Sequence, residues 1–263
     1  MIIDSHCHLN HLKLENVEGG LSTVIQNAKE VGVEKIISIC VELDEVETLR
    51  SITDMHSNVF HSVGVHPSEW GSEQPSCERL IELVNYPKCV AIGETGLDYH
   101  YNDTDTIPAQ MEKFRAHIQA SVQTQKPLII HTRAAKEDTL QIMRDEQAQN
   151  TCGVMHCFTE DWDMAKQSLD MGFYISFSGI VTFKNAEDLR DVAKKMPLDR
   201  ILIETDAPYL TPVPMRGKPN YPAYVRHVAE FMADLRGMTL EDFSAQTVKN
   251  TEKLFDLSEM EVS

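Results

Sequence analysis

Basic residues are scarce in this chain. Its 263 residues carry 24 Lys+Arg against 41 Asp+Glu, a formal net charge of −17. Gripping a long stretch of nucleic acid needs a basic surface that displaces counterions, and no extended basic stripe is visible, so a long footprint is excluded. An anionic substrate has to be met locally, by metal ions and a few placed Arg or Lys. Long apolar runs are missing too: Leu128–Ile130 and Val63–Val65, the latter broken by Gly64, fall far short of the roughly 18–20 residues of a bilayer span. A membrane helix is therefore excluded. The six cysteines (Cys7, Cys40, Cys77, Cys89, Cys152, Cys157) show no CxxC spacing, which removes zinc-finger readings and suits reduced, mostly buried thiols. The start, MIIDSHCH, has neither a basic stretch nor an apolar signal region. Together these predict a cytoplasmic protein without a cleaved signal.

What is present is an ordinary globular balance, 42% hydrophobic, in a chain long enough to bury roughly 70–75% of its unfolded surface. No obligate protein partner is implied. Short β-rich runs alternate with longer helical patterns, the mark of repeated β-α units around a parallel sheet. The strand candidates are Ile2–His8, Lys35–Cys40, Val59–Val65, Cys89–Glu94, Leu128–His131, Gly153–His156, Phe173–Phe177 and Arg200–Thr205. Helical stretches lie between them, roughly Gly20–Val31, Glu45–His56, Ser76–Asn85, Ala109–Gln125, Ala135–Gln149, Trp162–Met171, Ala186–Lys195 and Tyr221–Leu235, with a final one near Leu240–Leu257. No linker, repeat or low-complexity tract divides the chain. These features predict an α/β fold, one (β/α)₈ TIM barrel domain over residues 1–263. A doubly wound open sheet is the alternative, but its usual glycine-rich phosphate loop is missing.

The first strand reads Asp4-Ser5-His6-Cys7-His8, and residues two apart on a strand share a face, so His6 and His8 project side by side. Alone, such a pair could be ordinary polar residues at a strand end. It is not alone: Glu94, His131 and His156 end later strands, and Asp206 follows the last. In a parallel barrel these C-terminal ends surround one mouth, where barrel enzymes keep their active sites. Four His, one Glu and one Asp are costly to desolvate together, and divalent ions convert that cost into coordination. Six ligands suit two ions, with Glu94 as bridge, His6, His8 and Asp206 on one, His131 and His156 on the other. By ligand type the ions are Zn, Mn or Mg.

The same residues carry a resemblance. DSHCHL at 4–9, GVHP at 64–67, GETGLDY at 93–99, IIHTR at 129–133, MHCF at 155–158 and ETDAP at 204–208 together resemble the TatD family of metal-dependent hydrolases and deoxyribonucleases, within the amidohydrolase-like barrels. The match runs from residue 1 to about 257. The resemblance implies that His6, His8, Glu94, His131, His156 and Asp206 are metal ligands, and that DNA phosphodiesters are hydrolysed from the 3′ end, single strands preferred, by a two-metal hydroxide mechanism. Hydrolysis of a small-molecule ester, lactone or amide by the same metal pair is the alternative.

Around this set, Asp206 reads as general base. Glu204, one layer deeper, reads as a residue holding an imidazole or a water in place; a buried carboxylate paired with Lys or Arg is its bland alternative. Arg133 at the mouth suits a bidentate grip on phosphate. His66 reads as donor to a phosphoryl oxygen or leaving group, or simply as a His fixed in a turn by Pro67. Arg216 and Lys218, on the proline-stiffened loop after the last strand, read as backbone contacts or as solvated charge. Asp98, with Tyr99, reads as orienting substrate or as satisfying loop amides. Trp70 and Phe158 offer aromatic faces for a base, with core packing the safer role for Phe158. Cys7 and Asp4 read as structural. The expected partners are DNA strand ends or a small phosphorylated substrate, and no membrane.

Overall fold

The computed structural model describes residues 1–71, 74–100 and 104–257. Eight parallel strands alternate with helices: β1 Ile2–Cys7, β2 Val33–Ser38, β3 Val59–Val63, β4 Cys89–Asp98, β5 Leu128–Arg133, β6 Gly153–Met155, β7 Tyr174–Phe177 and β8 Ile201–Ile203. They are hydrogen-bonded in sequence order into one sheet. The helices are α1 Gly20–Glu30, α2 Val46–Met55, α3 Cys77–Val84, α4 Ile107–Thr124, α5 Lys136–Asp145, α6 Trp162–Asp170, α7 Glu187–Lys195, α8 Val225–Leu235 and α9 Leu240–Phe255. The expected TIM barrel is thus the observed fold. Among the described residues no helix is long and apolar enough to cross a membrane. The boundaries differ where charge meets a strand end: β4 runs on to Asp98, while β6 and β8 stop before His156 and Glu204.

The sheet closes through residues just beyond β8. Asp206 N–H donates to His6 O at 2.9 Å and His8 N–H to Ala207 O at 2.7 Å. Asp4 stitches the same seam: its buried carboxylate accepts from Thr205 N at 2.9 Å and Thr205 Oγ1 at 2.6 Å, the structural role expected of it. Every strand contributes to the barrel interior, through Ile3, Ile37, Phe60, Val90 with Ala91, Ile129, Val154, Tyr174 and Leu202, and Ile39 just past β2 joins them. Val248, Leu254, Phe255 and Leu257 of α9 and its end complete that cluster. Burial holds α9 there, helped by Asn250 Nδ2 donating to Ile201 O at 2.8 Å and by the Lys35–Glu252 pair at 2.8 Å. The opposite end is left for chemistry.

Two buried histidines make this fold acid-sensitive. His117 Nδ1–H donates to Lys113 O at 2.7 Å while its Nε2 accepts from Val65 N at 3.0 Å, so the ring is neutral. His61 donates from Nδ1 to Ser62 O at 2.9 Å. Burial pushes both pKa values down to about 4. An unfolded histidine takes its proton near pH 6.5, so between pH 6.5 and 4 the unfolded chain binds more protons and stability falls as pH falls. Each histidine contributes up to about 1.4 kcal/mol per pH unit. Denaturant midpoints between pH 7 and 4.5 should therefore drop more steeply for the wild type than for His117→Gln; equal slopes would refute this assignment.

Candidate metal centre

Strict alternation does not by itself aim the key side chains inward. Ile2 and Cys7, five residues apart, both pack in the shell between barrel and helices, and so do Ile92 and Leu97. An odd separation on one face means the pleat slips once between each pair. The strand pairing is irregular at those places, between Asp4 and Cys7 in β1 and between Ile92 and Thr95 in β4. Such bulges re-aim side chains beside active sites, and they carry His6 and Glu94. Gly96, at φ 135°, closes the arrangement: a Cβ there would lie 1.9 Å from His131 O, so only glycine lets β4 pass β5 at this rung.

Glu94, 3% exposed, divides its carboxylate between two groups of imidazoles. Its Oε2 lies 3.3 Å from His6 Nε2 and 3.9 Å from His8 Nε2. Its Oε1 lies 2.8 Å from His156 Nε2, 3.3 Å from His131 Nδ1 and 3.5 Å from His66 Nε2. Asp206, held at φ 56° in the turn after β8, points Oδ1 at His8 Nε2 (3.3 Å) and His6 Nε2 (3.5 Å). The six residues expected at one rim are one cluster, and His66 joins it.

Partners behind the imidazoles set which nitrogen faces the centre. Glu204 Oε1 lies 3.1 Å from His156 Nδ1 and accepts from Cys157 N at 2.8 Å, leaving Nε2 inward. Asp98 Oδ2 lies 3.0 Å from His131 Nε2, leaving Nδ1 inward. Of the two readings of Asp98, the structure has the amide-satisfying one: its Oδ1 accepts from His100 N at 2.9 Å, and at 3% exposure it stands behind His131 and is not among the residues lining the cavity. Outer partners of this kind typically raise metal affinity 10–100-fold. Glu204→Gln should weaken retention of bound metal by roughly that factor, read as metal content after titration with a chelator.

The cluster floors a cavity of about 680 Å³, also lined by Arg133, Glu69, His11 and Tyr209. Arg216 and Lys218 do not line it. Arg216 donates to Thr211 O at 3.1 Å and lies 4.1 Å over the Phe183 ring, and Lys218 closes a turn through its backbone, donating to Met215 O at 3.1 Å. Phe158 is buried in the core. Trp70 is 43% exposed, with Lys113 Nζ 4.0 Å from its ring centre. Sequence reading missed Lys113, which is buried and donates to Pro67 O at 3.1 Å and Glu69 O at 2.8 Å, pinning the loop that carries His66. It also missed His11, Glu69 and Tyr209, whose only signal is nearness to His8, His66 and Asp206 in the chain.

The field here favours positive charge. Burial disfavours a proton on His156, yet Glu94 and Glu204 on either side raise its pKa well above the ordinary value. Burial likewise opposes ionisation of Glu94, but the surrounding imidazoles hold its pKa well below the carboxylate range. His66 differs: burial pulls it down to about 3, so it is neutral, and because its Nδ1 accepts from Ser68 N at 3.1 Å, Nε2 carries the hydrogen.

The family described as TatD related DNase matches residues 3–256. The chain belongs to the TatD family. An uncharacterized metal-dependent hydrolase of Escherichia coli K12, YcfH, is 46% identical over 256 residues, covering 97% of this chain and 96% of YcfH. The Bacillus subtilis counterpart YabD is 39% identical over 259 residues, covering 98% and 100%. The crystal structure of YjjV, a TatD homologue from E. coli K12, superposes with a TM-score of 0.87 at 25% identity, covering 97% and 98%. This TatD-family protein is accordingly a metal-dependent hydrolase, and its donors fit metal ions. Among the described residues, three groups of candidate ligand atoms, His6/His156/Asp206, His6/His8/Glu94 and His66/Glu94/His131, each lie within 4.8 Å of one another. His156 Nε2 lies 2.8 Å from Glu94 Oε1 without an aligned hydrogen bond, so it is a buried polar atom that a metal ion would satisfy.

Proposed function

We propose that this TatD-family protein is a deoxyribonuclease that removes nucleotides from the 3′ end of single-stranded DNA. The observation that carries this reading is the division of the Glu94 carboxylate between two histidine groups on the floor of a cavity with a cation at its wall. Glu94, His6, His8 and Asp206 would hold one divalent ion, and Glu94, His131 and His156 the second. Zn, Mn or Mg there would supply a water acidified toward neutral pH and would polarise the phosphoryl oxygens. Asp206, whose pKa the neighbouring His8 and His6 hold below the ordinary value against the effect of burial, is ionised at neutral pH; it would accept the proton of the attacking water as the new P–O bond forms and pass it to the leaving oxygen as the scissile P–O bond breaks. Neutral His66 donates a hydrogen bond from Nε2 to a phosphoryl oxygen. Arg133 grips the phosphate.

Arg133 is the one Arg or Lys among the described lining residues, an observation that keeps hydrolysis of a small ester, lactone or amide as the second reading. Metal analysis of purified protein, with cleavage assays on single-stranded DNA, duplex DNA, RNA and an uncharged ester under Mg²⁺, Mn²⁺ or Zn²⁺, separates the two. Cleavage of the ester alone would overturn the nuclease. Arg133→Ala should lower phosphodiester cleavage roughly 10- to 100-fold, the scale of a charged hydrogen bond, with a smaller loss on the ester. Equal losses would show that Arg133 supports structure only.

A further inference from the structure

Large apolar side chains are exposed at few places in this protein: Met1, Met55, Trp70, Tyr209 and Val213 among the described residues. Of these, Tyr209 alone is among the residues lining the cavity, and the residue is 54% exposed. A loose loop is not the reason. Tyr209 N–H donates to Asp206 O at 2.8 Å, and its carbonyl accepts from Asn220 Nδ2 at 2.5 Å. Asn220 is itself fully buried and also donates to Thr205 O at 3.0 Å. The backbone is clamped and the ring is left open.

The surroundings extend that ring into an apolar wall. Leu210 and Ile180 line the same cavity. They are brought together at some cost, because Leu210 sits at φ 55° and a Cβ on Gly179 would lie 2.0 Å from Leu210 O. The Tyr209 ring stands edge to face with His8, centroids 5.9 Å apart, so whatever rests on it is a direct neighbour of the carboxylate–imidazole cluster. The occupant must therefore combine a planar apolar face with an anion suited to one Arg and the cluster. A cavity of about 680 Å³ is of small-molecule size, room for one such unit and not for an oligomer.

We propose that Tyr209 is the platform on which the base of the terminal nucleotide stacks, while that nucleotide's phosphate meets the Glu94 cluster. This deepens the nuclease reading and rests on it. Every base has a π-face, so such a platform accepts any terminal base and selects against termini without one.

The test is calorimetric binding of thymidine 5′-monophosphate and of methyl phosphate to the protein as purified with its metals. Wild type should bind the nucleotide at least roughly tenfold more tightly than methyl phosphate, the scale of one base–aromatic stack. Tyr209→Ala should bring that ratio close to one, and Tyr209→Phe and Tyr209→Trp should keep it. If the alanine variant fails to fold, Tyr209→Leu retains apolar bulk without a π-face and is read the same way. A wild-type ratio near one, or a ratio that survives the loss of the ring, overturns the proposal. Cleavage of single-stranded DNA is measured separately. A Tyr209-dependent ratio without DNA cleavage leaves the platform standing and sinks the nuclease, whereas cleavage without a Tyr209-dependent ratio does the reverse.

Discussion

Glu94→Ala should abolish hydrolysis for practical purposes, with a loss exceeding the roughly 10²–10³-fold that removing one transition-state donor costs. The reason is its position. Its two oxygens face His6 at 3.3 Å on one side and His156 at 2.8 Å on the other, so one truncation takes a ligand from both candidate ion sites. Asp206 then faces His6 and His8, while Glu204 and Asp98 stand behind His156 and His131 on their outer nitrogens, and the attraction for a second cation falls with the missing central charge. Folding should survive, because the barrel interior is filled by other residues of the strands and by α9, all of which the variant keeps. Metal content by elemental analysis, hydrolysis and circular dichroism should be measured together. Glu94→Gln, which keeps the shape and removes the charge, should lose metal in the same direction. Wild-type metal content and activity in either variant would refute the bridging assignment.

The eight β-α units are legible in the chain because each strand is a short apolar run ending in a charged or imidazole side chain, and each helix has its own apolar stripe. His6 and His8 are legible as a pair because they are two apart, and the cluster follows once all strand ends share one mouth. The bulges that turn His6 and Glu94 inward leave no such mark, since the slip depends on pairing with β2 and β5. Asp98 is the instructive case. It lies four residues after Glu94 on the same strand, which suggests a second group facing the substrate, but the register that sets Gly96 against His131 brings its carboxylate behind that imidazole. Arg216 was equally hidden, because its partner Phe183 is distant in sequence and the stacking of one on the other is a tertiary event. Lys113 and Tyr209 had no periodic signature at all: one acts through backbone carbonyls of another loop, the other through an exposure that only folding defines.

A covalently closed single-stranded circle should resist this protein under conditions that degrade the linear strand of the same sequence. On the proposed reading the difference comes from the scarcity of cations at the mouth. Arg133 is the one Arg or Lys among the described lining residues, Arg216 is engaged with Phe183 and Thr211, and Glu69 places a carboxyl group in the same wall. DNA that continues on both sides of the scissile bond would bring several phosphates against a surface of net charge −17 with little to offset them. A strand end brings one phosphate to Arg133 and the cluster. With one or two phosphate contacts, the logarithm of binding affinity should fall against the logarithm of salt with a slope of roughly −0.7 to −1.5, shallower than any long footprint gives. The assay compares circle and linear strand at matched concentration with Mg²⁺, Mn²⁺ or Zn²⁺, and measures binding across a salt series. Equal cutting of circle and linear strand, or a steep slope, would show that the chain grips DNA along its length and would overturn the end-on reading. If neither DNA is cut under any metal while an uncharged ester is, the same Glu94-centred cluster serves carbonyl chemistry instead.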